Sequence, residues 1–268
     1  MVQTLLGTDH YVYRKDGKLY VRKVGSGDPL ILLHIVGMSG WSWRKVVDDL
    51  SRKFTCYIPD LPGFDNSDIP AKQYSMEDYM DAVLDVMDAA GLKQAHLVGA
   101  RTGAIIGLML GAYYPERVDR LVLNGLPYWN KAHGEIVWEK FFLPQFTDVA
   151  SYHVPVNPMT AWEDDKAKNP KLEREAWEAL HKIYERSRPW ITFTERAYTS
   201  TDIQAIGCKV KTPTLLLYGE NDVLLRGAQK AHDDITGSVV EIVEGSDGHT
   251  FEDKPKEFVS NVVHFLRR

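Results

Sequence analysis

The sequence predicts an α/β fold: a mostly parallel, doubly wound sheet with a helical lid inserted after the sixth strand. Three observations carry this expectation. Short apolar runs such as "PLILLHI" (29–35), "AHLVG" (95–99) and "TPTLLLYG" (212–219) read as strands buried on both faces. Helical patterns lie between them, and strands that alternate with helices imply parallel pairing under two helical layers. Between Pro127 and about Ile203 the strand pattern stops, helical stretches replace it, and five of the seven tryptophans fall there. The expected division is a core of residues 1–126 and 204–268 with a lid of 127–203.

In chain order, "KLYVRKVG" (18–25) alternates as a half-buried strand and "PLILLHI" is a buried one. "WSWRKVVDDLSR" has helical spacing, and "CYIPD" returns to a short strand. "YSMEDYMDAVLDVMDAAG" reads as a helix, with Ser75 and Asp78 as a capping pair. Met76, Met80, Val83 and Met87 recur at helical spacing, and Gly91 is the stop. Strand "AHLVG", helix "TGAIIGLMLGAYY" ended by Pro115, and strand "VDRLVLNG" follow. "NPKLEREAWEALHKIYERS" is the clearest helix of the insertion, which reads as an aromatic subdomain core, as a lid over an apolar pocket, or as both. Strand "TPTLLLYG", helix "RGAQKAHDDI", strand "SVVEIVEG" and a helix from Pro255 to Leu266 complete the pattern.

Composition narrows the function. The 268 residues are 44% hydrophobic with a net charge of −5 and charges of both signs dispersed, so neither a nucleic-acid partner nor an acidic tail is expected. The start "MVQTLLGTDH" lacks the basic and apolar segments of a signal peptide. The longest nearly apolar run, Ala104 to Tyr114, is too short to span a bilayer. Cys56 and Cys208 show no metal-ligand spacing. A soluble cytoplasmic chain without metal or cofactor, acting on a small molecule, is the expectation; oligomeric state is left open.

The stretch "LVGARTGAIIG" (97–107) has the spacing of a turn that presents a nucleophile, yet its centre is Arg101. A guanidinium stays protonated near neutrality and has no lone pair to attack a carbon. With this stretch at their centre, several segments together resemble the α/β-hydrolase fold family across nearly the whole chain. "LLHIVGMSGWSW" resembles the oxyanion loop and "PDLPGFDNSD" the loop after the next strand. "LVGARTGA" resembles the nucleophile elbow, while "LLLYGENDVL" and "GSDGHTFEDKPKEF" resemble the segments that present the acid and the histidine. The resemblance implies Asp222 as the acid, His249 as the histidine, and the N–H groups of Val36 and Thr102 as oxyanion donors. Ile35 stands where the family usually has glycine, which stiffens that loop. Trp129, early in the insertion, is expected to wall the pocket.

Three readings remain. In the first, His249 and Asp222 form a general base, and Arg101 anchors an anion or polarises a carbonyl during hydrolysis, lyase chemistry or decarboxylation of a small, partly apolar substrate. In the second, the protein is a catalytically silent ligand binder; Arg101 then pairs with Asp222 or a lid carboxylate, and Asp222 caps a helix. The third is a serine hydrolase inactivated by a serine-to-arginine change. His34 is expected to orient its loop, and His133, His153 and His181 to sit on or within the lid.

Overall fold

The computed structural model describes residues 8–145, 161–168 and 173–268. Its strands are β1 (Thr8–Arg14), β2 (Gly17–Val24), β3 (Asp28–Leu33), β4 (Phe54–Pro59), β5 (Ala95–Ala100), β6 (Val118–Asn124), β7 (Thr214–Gly219) and β8 (Val239–Val243). They form one sheet in the order β1-β2-β4-β3-β5-β6-β7-β8. β1 and β2 are an antiparallel hairpin, β2 joins β4 antiparallel, and every later pairing is parallel. The sequence reading did not single out β1, because most of its residues are exposed and it carries no buried apolar run.

The helices are α1 (Val47–Ser51), α2 (Met76–Ala89), α3 (Thr102–Tyr113), α4 (Lys131–Val137), α5 (Trp162–Lys168), α6 (Arg174–Thr199), α7 (Ile203–Gly207), α8 (Ala228–Asp234), α9 (Thr250–Asp253) and α10 (Pro255–Leu266). The α2 capping box forms as expected: Asp78 N–H donates to Ser75 Oγ at 3.3 Å and Ser75 N–H to Asp78 Oδ2 at 2.9 Å. Alternate side chains of the central strands enter two separate clusters, the signature of a sheet covered on both faces. One cluster joins Leu33, Leu97 and Leu121 to α2 and α3; the other joins Leu32, Val98 and Val122 to Trp43, Phe258 and Val262.

Between β6 and β7 the described residues carry helices and no strand: α4, a turn at Trp138–Phe142, α5, the 26-residue α6 and α7. α6 runs beside the loop after β3, where a Cβ on Gly37 would touch Ile191 Cδ1 at 3.4 Å and the Tyr184 ring at 3.8 Å. The parallel strands thus end at a cluster of loops, with α6 packed against one of them. The three insertion histidines divide: His133 stacks parallel to Trp129, His181 packs on Trp177, and His153 lies outside the described residues.

Candidate functional site

The site is built around the β5–α3 turn. β5 ends at Ala100, and Arg101 adopts φ 54°, ψ −110°, left-handed territory that costs a non-glycine residue about 1–3 kcal/mol. Its N–H donates to Asn124 O at 3.0 Å, and its carbonyl receives Ala104 and Ile105 N–H, so the turn is fixed on both sides. Small neighbours are obligatory. A Cβ on Gly99 would lie 2.2 Å from Gly103 O, and one on Gly103 would lie 2.2 Å from Leu33 O. The turn is therefore a complete elbow with a cation at its apex.

The guanidinium threads between two glycines. A Cβ on Gly125, just past β6, would lie 3.1 Å from Arg101 Cζ, and one on Gly248 would lie 1.5 Å from Arg101 Nη2. Beyond them Nη2 stands 3.0 Å from Asp222 Oδ1, and the Asp222 side chain has no exposed surface whereas that of Arg101 keeps 17%. Asp222 Oδ1 also accepts Leu224 N–H at 2.9 Å, capping the short helical turn Val223–Gly227. Asp222 Oδ2 is buried without a hydrogen-bond partner.

This geometry corrects one expectation. Asp222 and His249 form no hydrogen bond among the described residues; the carboxylate is engaged by Arg101 instead. The physical reason is charge. A full cation beside a buried carboxylate offsets the loss of water better than a neutral imidazole does. His249 begins the turn into α9, and it keeps accessible surface while the protein around it lowers its pKa. Loss of water around the ring is the larger cause and the Arg101 cation the second, and both favour the neutral imidazole.

The loop after β3 is tied down by His34. Its Nδ1 bonds Ile35 O at 2.8 Å and its Nε2 accepts Leu61 N–H at 2.9 Å, which fixes the tautomer and leaves no nitrogen for catalysis. Burial lowers its pKa to about 4. Ile35 turns its side chain into the cluster of Trp43, Phe251 and Phe258, and Val36 packs against the opposite cluster. Neither Val36 N–H nor Thr102 N–H donates to a described protein acceptor, and Thr102 is the buried first residue of α3. Trp129 is 7% exposed, lies 6.2 Å from the Tyr198 ring, and its Nε1 is buried without a partner.

One residue escaped the sequence reading. Glu195 of α6 is half-buried, its carboxyl makes no hydrogen bond or ion pair with a described residue, and burial pushes its pKa up to about 8. The available signal was an acid on the stripe Tyr184, Ile191, Tyr198 of an otherwise amphipathic helix, since a carboxylate is out of place on a packed face. No group of His, Cys, Asp and Glu suited to a metal occurs among the described residues, and no helix there is long and apolar enough to cross a membrane.

Comparison with known proteins agrees with this architecture. Residues 28–251 match the family model of the alpha/beta hydrolase fold. The chain is similar to 2-hydroxy-6-oxo-6-phenylhexa-2,4-dienoate hydrolase of Comamonas testosteroni, 26% identical over 77% of this chain and 76% of that one. It is also similar to epoxide hydrolase 4 of Mus musculus, 27% identical over 82% and 68% of the two chains. A solved structure of a hydrolase from Pseudomonas aeruginosa PA01 shares the fold with a TM-score of 0.79, at 21% identity over 97% of this chain and 98% of that one.

Proposed function

Because this chain belongs to the α/β-hydrolase fold family, we propose that it acts on a small, partly apolar molecule carrying a carboxylate or other oxyanion, without forming an acyl-enzyme. Arg101 anchors the anion, Asp222 holds Arg101, and neutral His249 takes a proton from water or from an acidic C–H or O–H of the substrate. The helical insertion 127–203 serves as the lid, and Trp129 contributes to its inner wall. The reading rests on one observation: a strained elbow that elsewhere would aim a nucleophile aims a guanidinium anchored at a buried carboxylate. Arginine cannot supply an attacking atom, but its planar fork suits a carboxylate. The similar Comamonas protein is named for a dienoate, an anion of this kind.

The products are those of hydrolysis by activated water, or of lyase or decarboxylation chemistry started by proton removal. The N–H groups of Val36 and Thr102 are the donors that would receive a developing oxyanion. A second reading, a silent ligand-binding protein, is favoured by the missing His249–Asp222 bond.

One experiment separates the two. The chain is incubated with a fluorophosphonate, and a panel of carboxylate-bearing lactones, enol esters and β-diketones is assayed with wild type and His249→Gln. The proposal expects no added mass on the peptide containing residue 101. It also expects turnover of at least one panel member, which His249→Gln lowers by roughly 10²–10⁴-fold. An adduct on the elbow overturns the mechanism. Binding of panel members with no turnover by wild type establishes the silent reading.

A further inference from the structure

Glu195 is an acid of α6 to which the mechanism above gives no part. Tyr184, Ile191, Glu195 and Tyr198 recur at intervals of seven, four and three residues along α6, which places them on one face of the helix. Both ends of that face are located. Tyr184 and Ile191 meet the oxyanion loop at Gly37, and Tyr198 packs on Trp129 and lies within electrostatic reach of both Arg101 and Glu195. Glu195 therefore sits between the oxyanion loop and the elbow, on the helix that covers them. Tyr184 also lies within electrostatic reach of it. The half-buried Glu195 carboxyl makes no hydrogen bond or ion pair with a described side chain, which leaves it available to a ligand on that face.

Resting on the anion-anchor reading of Arg101, we propose that Glu195 is the second pole of the same site: an uncharged carboxyl that donates a hydrogen bond to a carbonyl oxygen of the ligand whose carboxylate Arg101 holds. The raised proton affinity of Glu195 is consistent with this donor state near neutrality. The arrangement selects monoanions with a neutral carbonyl at the far end. A second carboxylate in that position would meet an acid instead of a cation, so dicarboxylates are disfavoured. Glu195 is thus a specificity-determining residue, and the substrate class narrows to small oxo acids with an apolar body.

The test is calorimetric titration with 5-oxo-5-phenylpentanoate and with 5-phenylpentanoate, which differ only in the carbonyl oxygen. Wild type is expected to bind the oxo acid more tightly by about fivefold to tenfold, the usual worth of one such hydrogen bond. Glu195→Leu should reduce the ratio to near one while still binding the deoxy acid. Glu195→Gln, which keeps an N–H donor and the same shape, should retain most of the preference. Arg101→Leu should weaken both acids together and leave their ratio unchanged. That arm alone reports on the anion anchor, so its failure is distinct from failure of the Glu195 assignment. A wild type that binds neither acid or does not discriminate, or a Glu195→Leu variant that discriminates like wild type, overturns the proposal. So does a Glu195→Gln variant that loses as much preference as Glu195→Leu.

Discussion

Replacing Arg101 by leucine tests what the elbow arginine does for the fold. The substitution keeps an unbranched Cβ and the strained backbone but removes the cation that faces Asp222 at 3.0 Å. At that separation and an effective dielectric of about 20, the Coulomb term is roughly 5–6 kcal/mol, partly offset by the water both groups surrender. Asp222 retains one hydrogen bond, from Leu224 N–H, and its side chain has no exposed surface. Removing one partner from such a pair typically costs about 3–5 kcal/mol, because the survivor is left buried and charged. Arg101 keeps a path to water, so about 3 kcal/mol is expected here, a fall in Tm on the order of 6–12 °C for a chain of this size.

The companion variants make the reasoning refutable. Asp222→Asn alone should cost less, about 1–2 kcal/mol, since the partly exposed guanidinium can turn to solvent. Arg101→Leu combined with Asp222→Asn should be more stable than Arg101→Leu alone, because no orphan charge remains. Urea unfolding of the four proteins closes the cycle. A coupling energy below about 0.5 kcal/mol would show that the pair contributes nothing measurable, and the elbow arginine would lose its structural role.

Two further outcomes follow from the same contacts. Gly248→Ala places a Cβ 1.5 Å from Arg101 Nη2; it should destabilise wild type nearly as much as Arg101→Leu but add little in an Arg101→Leu background, and additive losses in thermal melts would refute the threading of the guanidinium past Gly248. Burial lowers His34 to about 4 from an ordinary 6.5, so the native state refuses a proton that the unfolded chain accepts. Its contribution is full above pH 6.5 and should fall by about 3 kcal/mol as pH drops to 4, against the opposite drift of Asp60 and Glu195, whose carboxyls burial raises to about 6 and about 8. The stability difference between wild type and His34→Asn should therefore change by that amount, and a pH-independent difference would contradict it.

The parallel core was legible because its strands are continuous apolar runs, a pattern that survives without knowledge of partners. Pro255–Leu266 and the Ser75–Asp78 cap were readable for the same local reason: each signal lies within one turn of helix. β1 was not, since an edge strand of mostly exposed residues is specified by its hairpin with β2 through Gly17 and not by its own composition. At the site, the elbow could be read from Gly99 and Gly103, which must be glycine wherever strand and helix cross this closely. The partner of Asp222 could not. Sequence order brings Arg101, Asp222 and His249 to one place, but which of two groups takes a carboxylate depends on distances of a few ångströms. Glu195 was hidden for a complementary reason: a glutamate in a helix reads as surface until the packing of the face is known.

The choice Asp222 makes changes what the site can do. In a relay, a carboxylate steadies the imidazolium that forms when histidine takes a proton. Here that carboxylate is already matched by a cation, and the same cation stands near His249 and disfavours a second positive charge. On the proposed reading, His249 alone is a weak base in the empty site, because protonating it leaves two cations and one anion together. A ligand carboxylate seated on Arg101 supplies the missing negative charge, so the substrate itself completes the balance that lets imidazole accept a proton. Neutral esters cannot do this, however well they fit. On that reading the arginine does more than stand where a nucleophile would: the histidine beside it becomes competent only when an anion is bound.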